Sequence, residues 1–189
     1  MTVITISRQM GCLGCEVSEE VARCLGYRRV WREVINEAAI RAGVPEVALA
    51  TIDELDLLGL RPPAAARKAY HEAVREIMKE LAAEGDVVIV GRAGQAILRG
   101  LADVLHVRLY APFDMRVARV ANRQSVSLET ARVQVQASDQ ARMRYLRRYY
   151  KISWDDPDLY DLMINTANLD VPMVAATICA LSEQKGKAA

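Results

Sequence analysis

TVITISRQMGCLGCEVSEEVARCLG, residues 2–26, is the stretch on which the fold turns. Val3, Ile4 and Ile6 make a short apolar strand. Val17, Val21, Ala22, Cys24 and Leu25 then fall at helical spacing. Between them lie Gly11 and Gly14. A strand, a glycine loop and a helix start form the layout of an anion-binding loop. Glycines let backbone N–H groups approach phosphate oxygens, and the helix end adds partial positive charge. The full motif, G-x-x-x-x-G-K-[ST], also places a lysine on the phosphates and a hydroxyl on magnesium. This loop carries neither. None of the five lysines in the chain is near it, and the nearest cations in sequence are Arg8 and Arg23. The competing reading is an ordinary strand–helix turn.

Cys12 and Cys15 in the same loop raise two further readings. A structural zinc site needs about four ligands, and Cys24, Cys179, His71 and His106 are scattered with no second pair. A redox pair is favoured chemically by the helix start, which lowers thiol pKa. Two small residues tolerated in a tight turn is the simpler reading, and it predicts reduced, metal-free thiols. No metal-ligating residues are assigned.

Outward from the loop, strands and helices alternate. An extended segment spans 26–31, and a helix follows to Gly43. A second helix is expected over 45–60. Residues 63–85 form the clearest amphipathic helix, with Val74, Ile77, Met78 and Leu81 as its stripe. DVVIV (86–90) is a continuous apolar strand of the buried parallel kind. Further strands are expected at 104–111 and 158–166. Helices are expected at 112–124, at 127–150 with Ser127 or Thr130 as cap, and from Pro172 onward. The tail EQKGKAA is expected to fray. This order predicts an α/β fold, a parallel sheet with helices on both faces.

The chain of 189 residues suggests one domain, and its 52% hydrophobic content is ample for one core. A net charge of +1 points to neither nucleic acid nor a membrane surface. There is no apolar run of ~18 residues and no leader-like start, so a cytoplasmic protein is expected.

In a parallel sheet, ligands sit beyond the carboxyl ends of the strands. That places three segments together: 7–16, Arg92 in GRAG (91–94), and SDQARMRYLRRYY (138–150). In the last, Asp139 and Arg142 are three apart on one helix face. The arginines there would close over phosphates with bidentate contacts, or would simply be a solvated face.

Taken together, these segments resemble the cytidylate-kinase-like family of P-loop nucleotide kinases, over roughly residues 2–180. The resemblance rests on ITISRQMGCLG, LGYRRVWREVINEAA, VVIVGRAGQAIL, LHVRLYAPFDMRVARV, SDQARMRYLRRYY and YDLMINTANL, in that order. It implies a three-layer nucleoside-monophosphate-kinase fold of about five parallel strands. Its single domain, 1–189, would have a helical lid near 124–150 and an acceptor-side helical region at 32–84. It also implies transfer of the γ-phosphoryl group from ATP and Mg²⁺ to CMP, dCMP or another small acceptor, by a monomer or homodimer. ATP phosphates would lie against Gly11, Cys12, Leu13, Gly14, Cys15 and Glu16, with Arg119 and Arg123 nearby. Arg32, Arg92, Asp139 and Arg142 would hold the acceptor, and Arg8 and Arg142 would act in catalysis. The chain departs from the family pattern in GCLGC, where Gly-Ser-Gly-Gly-Arg is common, in WRE, where an Asp-Arg-Glu-like triplet is usual, and at Ala93, where cytidylate kinases carry an aspartate. The alternative implied by the lysine-free loop is a non-catalytic nucleotide-binding or regulatory module.

Overall fold

The computed structural model describes residues 2–43 and 63–188. The helix expected over 45–60 lies outside the described residues. Five strands form one parallel sheet: β1 Val3–Arg8, β2 Arg28–Val30, β3 Val87–Val90, β4 Val104–Tyr110 and β5 Leu162–Asn165, in the order β2-β3-β1-β4-β5. The central strand β1 pairs Ile4 with Val88 on one side and with Leu105 on the other.

The period-two alternation of these strands divides the core in two. Val3, Val87, Ile89 and Val104 face one side of the sheet. They meet α2 (Glu33–Ala42) and α3 (Ala64–Glu84) there. The stripe Val74, Ile77, Met78 and Leu81 is buried as its spacing predicts. Ile4, Ile6, Val88, Val90, Leu105, Val107 and Leu109 face the other side. They pack on α1 (Gly14–Leu25) and α7 (Val171–Ala188). Burying each such side chain is worth about 1.5–3 kcal/mol, so both faces hold the sheet flat against its helices.

The remaining elements gather at the carboxyl edge. A single turn, α4 (Gly94–Ile97), follows β3. After β4, α5 (Phe113–Gln124) and α6 (Leu128–Tyr150) form a hairpin, turned by Ser125 in the left-handed region. Ser127 caps α6, its hydroxyl accepting the N–H of Thr130 at 3.1 Å.

Two boundaries differ from the sequence reading. The last strand is only Leu162–Asn165, because Pro157 starts a 3₁₀ turn, capped by the Asp156 side chain, over Pro157–Leu159. The tail expected to fray instead continues α7 to Ala188. It is tied down there: the Thr2 hydroxyl donates to the Ser182 carbonyl at 3.5 Å, and Gly186 closes on Thr2 so tightly that a Cβ would lie 2.7 Å from its hydroxyl. No helix among the described residues is long and apolar enough to cross a membrane.

The end of α6 docks on α3 through an aromatic cluster. The His71 ring lies 4.0 Å from that of Tyr149, with Tyr70, Tyr145 and Tyr150 around it. Neither imidazole nitrogen has a hydrogen-bond partner. Burial, reinforced by Arg75 and Arg67, pushes its pKa down to about 4. The folded state therefore binds fewer protons than the unfolded one between that value and the ordinary ~6.5. His71 should cost no stability above pH ~6.5 and an increasing amount as pH falls toward 4. After discounting for partial exposure, the loss should be on the order of 1–2 kcal/mol. Urea unfolding at pH 7 and pH 4.5 should show a larger difference for wild type than for His71→Phe. Equal differences would remove His71 as the cause.

Candidate active site

The loop after β1 is shaped by backbone constraints. Gly11 has φ +81°, and a Cβ there would lie 2.6 Å from the Arg116 carbonyl oxygen. Gly14 has ordinary φ, yet a Cβ would lie 2.7 Å from the Arg8 side chain. Leu13, in the left-handed region, turns the chain into α1, whose start has no side-chain cap. The start of α1 therefore turns backbone N–H groups toward the loop, and that of Gly14 reaches the Cys12 sulfur.

The two loop cysteines differ. Cys12 is fully buried in the core beside Val17 and Val21. Burial pushes its thiol up to about 11, so it is neither a ready nucleophile nor a cleft-lining side chain. What Cys12 offers an anion is backbone. Cys15 is half-buried and lines the cleft. All four cysteines are free, and no cluster of three metal-binding side chains occurs among the described residues.

A cleft of about 1060 Å³ opens over this loop. Loop, α1, α5, α6 and the Trp31–Arg32 turn line it. Among the described residues it presents Arg8, Arg32, Arg119, Arg123 and Arg142 against one carboxylate, Glu16, and no lysine. Arg119 donates to the Gly11 carbonyl at 3.4 Å, the Thr166 hydroxyl at 3.1 Å and the Thr166 carbonyl at 2.7 Å. Arg123 pairs with Glu16 at 3.0 Å. Arg142 donates to the Ser138 hydroxyl, and its guanidinium lies 6.0 Å from the Trp154 ring. Arg8 is nearly buried beside Trp31.

Two residues of the acceptor set read from sequence lie outside the cleft wall. Arg92 is buried, 4% exposed, in a left-handed run between Gly91 and Ala93. Asp139 pairs with Arg116, at 2.8 and 3.2 Å, rather than with Arg142. Arg116 also donates to the Ala111 carbonyl at 3.0 Å and the Met10 carbonyl at 3.3 Å.

Sequence reasoning missed several supporting residues. Nothing in the sequence sets Arg116 apart from the other arginines of its helix. The Thr166 hydroxyl donates to the Cys12 carbonyl at 3.1 Å and so pins the loop to the end of β5. The Trp154 indole N–H donates to the Ser7 hydroxyl at 2.8 Å. Arg108, buried on β4, donates to the Trp154 carbonyl and to Asp155, and stacks on the Trp154 ring at 4.4 Å. Between Ser7, Arg8, Gln95, Arg142 and Trp154 lies a cavity of about 20 Å³, room for one water. Arg8 and Arg142 line both this cavity and the main cleft.

The model of the cytidylate kinase-like family matches residues 3–168. The chain belongs to the cytidylate kinase-like family. Cytidylate kinase of Pyrobaculum aerophilum is 30% identical over 172 residues, covering 90% of this chain and 87% of that one. Cytidylate kinase of Pyrococcus horikoshii is 31% identical over 180 residues, covering 94% and 86%. Among solved structures, an uncharacterized protein from Eubacterium ventriosum superposes with TM-score 0.75 at 20% identity, covering 97% and 99%. Shikimate kinase from Acinetobacter baumannii, in complex with shikimate, superposes with TM-score 0.56 at 15% identity, covering 97% and 94%. These structures show the fold alone: a P-loop kinase sheet with its helices. Membership in the cytidylate kinase-like family gives the loop and the arginine-lined cleft their context.

Within that fold, the Arg116–Asp139 pair is nearly dry, with side-chain exposures of 4% and 16%. Removing one partner leaves an uncompensated buried charge. Asp139→Ala should lower stability by about 3 kcal/mol, and Asp139→Asn by less. Urea unfolding checks both, and a loss within ~0.5 kcal/mol, the usual range for surface substitutions, would show that the pair does not brace the fold.

Proposed function

We propose that the chain is a nucleotide kinase transferring the γ-phosphoryl group of ATP to a nucleoside monophosphate, with CMP or dCMP as acceptor. The observation that carries this reading is the cleft itself, five arginines facing one carboxylate over a glycine loop. Phosphoryl transfer needs little covalent help from protein; it needs two anionic substrates aligned and their charge neutralised. Guanidinium groups supply this with bidentate geometry.

In this reading the backbone N–H groups near Gly11, Leu13, Gly14 and Cys15 take the ATP phosphates. Arg119 and Arg123 flank them from α5. Arg8 and Arg142, shared by the cleft and the small cavity, stand between donor and acceptor. Arg32 reaches the acceptor from the Trp31 turn. Arg92 and Asp139 act from behind: Arg92 adds buried positive charge, and Asp139 fixes Arg116 and hence the loop. The α5–α6 hairpin would be the lid, excluding water when it closes.

Magnesium accompanies ATP in this family's chemistry. Glu16, the one carboxylate among the described lining residues, has its Oε1 paired with Arg123, while Oε2 is buried without a hydrogen-bond partner among the described residues. One hard oxygen ligand beside phosphates fits Mg²⁺, which commonly uses one or two carboxylates and substrate oxygens. Glu16 is therefore the residue that would hold it. Bound there, the ion would neutralise charge on the phosphate oxygens.

A second reading, nucleotide binding without turnover, is favoured by the absence of any lysine among the lining residues. Calorimetry with ATP and Mg²⁺, beside a CMP and dCMP kinase assay, separates the two. ATP should bind at sub-millimolar concentration, since the backbone donors do not need a lysine. Turnover should be slow, rise in Cys15→Lys, and fall about 100-fold or more in Arg142→Ala, the scale for a lost preorganised charge contact. Binding with no turnover in either wild type or Cys15→Lys would establish the second reading, and no ATP binding at millimolar concentration would sink both.

A further inference from the structure

Trp31 is the only aromatic side chain among the described residues that line the cleft. It stands in the turn between β2 and α2, half-buried, with part of its indole packed on the core face that holds α1. The turn is fixed from behind. The Trp31 N–H donates to Glu33 Oε2 at 2.8 Å, and the Arg32 carbonyl accepts from Ile35 and Asn36 at 3.0 and 3.2 Å. Those N–H contacts, its own first and then that of Trp31, hold the Glu33 carboxyl below the usual range. The ring is therefore placed by its backbone and its buried edge.

Two guanidinium groups lie against this ring, Arg8 at 5.8 Å and Arg32 at 5.1 Å from its centroid. A π face orders an arginine without neutralising it. Arg32, the exposed one of the two, keeps its charge there, which a carboxylate in the same place would neutralise. Arg8 is nearly buried and stays, while Arg32 is exposed and can swing from the indole to a phosphate. The combination is an indole covered by guanidinium groups, of which the exposed Arg32 can move aside and uncover the ring.

We propose that Trp31 is the stacking platform for the base of the acceptor, so that this cleft selects an aromatic nucleoside phosphate over a phosphorylated sugar or polyol. This rests on the nucleotide-kinase reading above and specifies its acceptor subsite. A sugar phosphate matches the arginines but leaves the indole facing water. A nucleoside monophosphate matches both, and base stacking is a contact any of the common bases can make. Trp31 thus separates bases from non-bases, without by itself choosing cytosine.

The test compares CMP with ribose 5-phosphate, which keeps the phosphate and sugar and lacks the base. Affinities are measured by calorimetry on wild type, Trp31→Phe and Trp31→Leu. CMP should weaken roughly ten- to hundred-fold in Trp31→Leu and only a few-fold in Trp31→Phe, with ribose 5-phosphate within two-fold throughout. The chain has two tryptophans, and Trp154 is buried, so CMP should quench wild-type fluorescence and leave Trp31→Phe unquenched. That second readout stands even if Trp31→Leu does not fold. Equal weakening of CMP and ribose 5-phosphate, or CMP bound equally by all three proteins, would overturn the platform while leaving nucleotide binding intact. Wild type binding neither compound would overturn the nucleotide reading along with it.

Discussion

The carboxyl edge of the sheet depends on the buried guanidinium of Arg116. It reaches the Met10 carbonyl in the glycine loop, the Ala111 carbonyl at the end of β4, and the Asp139 carboxylate on α6. One side chain therefore joins the loop, the end of β4 and α6. A charge this dry persists only when it is paired and hydrogen-bonded. The geometry that supplies these bonds is also the geometry that brings Gly11 under Arg116. A Cβ at Gly11 would strike the Arg116 backbone, so the glycine serves the brace as well as the anion site.

A second anchor lies at the far end of the α5–α6 hairpin. Arg108 and Trp154 fix the segment after α6, and the Trp154 N–H reaches Ser7, next to Arg8. The hairpin is thus held at its root in α5 and again beyond α6. The cleft arginines attached to these anchored stretches, Arg8 and Arg119, have fixed positions: one is nearly buried, the other tied to Gly11 and Thr166. Arg32 and Arg123 are more exposed. The site combines placed charges near the loop with adjustable ones at its rim, a division suited to holding one phosphate chain firmly while admitting a second ligand.

The fold was legible because its signals are local. Strands β3 and β4 read as apolar runs, α3 carries a clean stripe, and Gly43 and Gly85 end helices as their chemistry predicts. The site was legible as a neighbourhood, not as a set of pairs. Asp139 and Arg142 have helix-neighbour spacing, yet Asp139 turns to Arg116, 23 positions away, because two helices of a hairpin place a dry arginine closer than a half-exposed one. No periodicity distinguishes Arg116, buried, from Arg123, exposed, on the same helix. Thr166 and Trp154 act through long-range contacts for which a sequence gives no local sign. The tail misled for the opposite reason: EQKGKAA is polar and ends in small residues, yet a packed Gly186 lets it lie on Thr2.

The missing lysine then takes on a narrower meaning. A P-loop lysine does two things: it adds attraction for the bound nucleotide, and it follows charge as it moves to the transferred group. The first is replaceable, because backbone donors and five arginines already make the cleft strongly positive. The second demands a cation within the loop itself, where a cysteine, Cys15, stands instead. Arg119 touches the loop at the Gly11 carbonyl, but its guanidinium is also engaged by the Thr166 hydroxyl and carbonyl. Arg8 and Arg142 line the cleft and the small cavity beside it. Charge in this cleft is therefore well placed to bind two anions and less well placed to follow charge between them, which is why binding and turnover separate as questions in this chain.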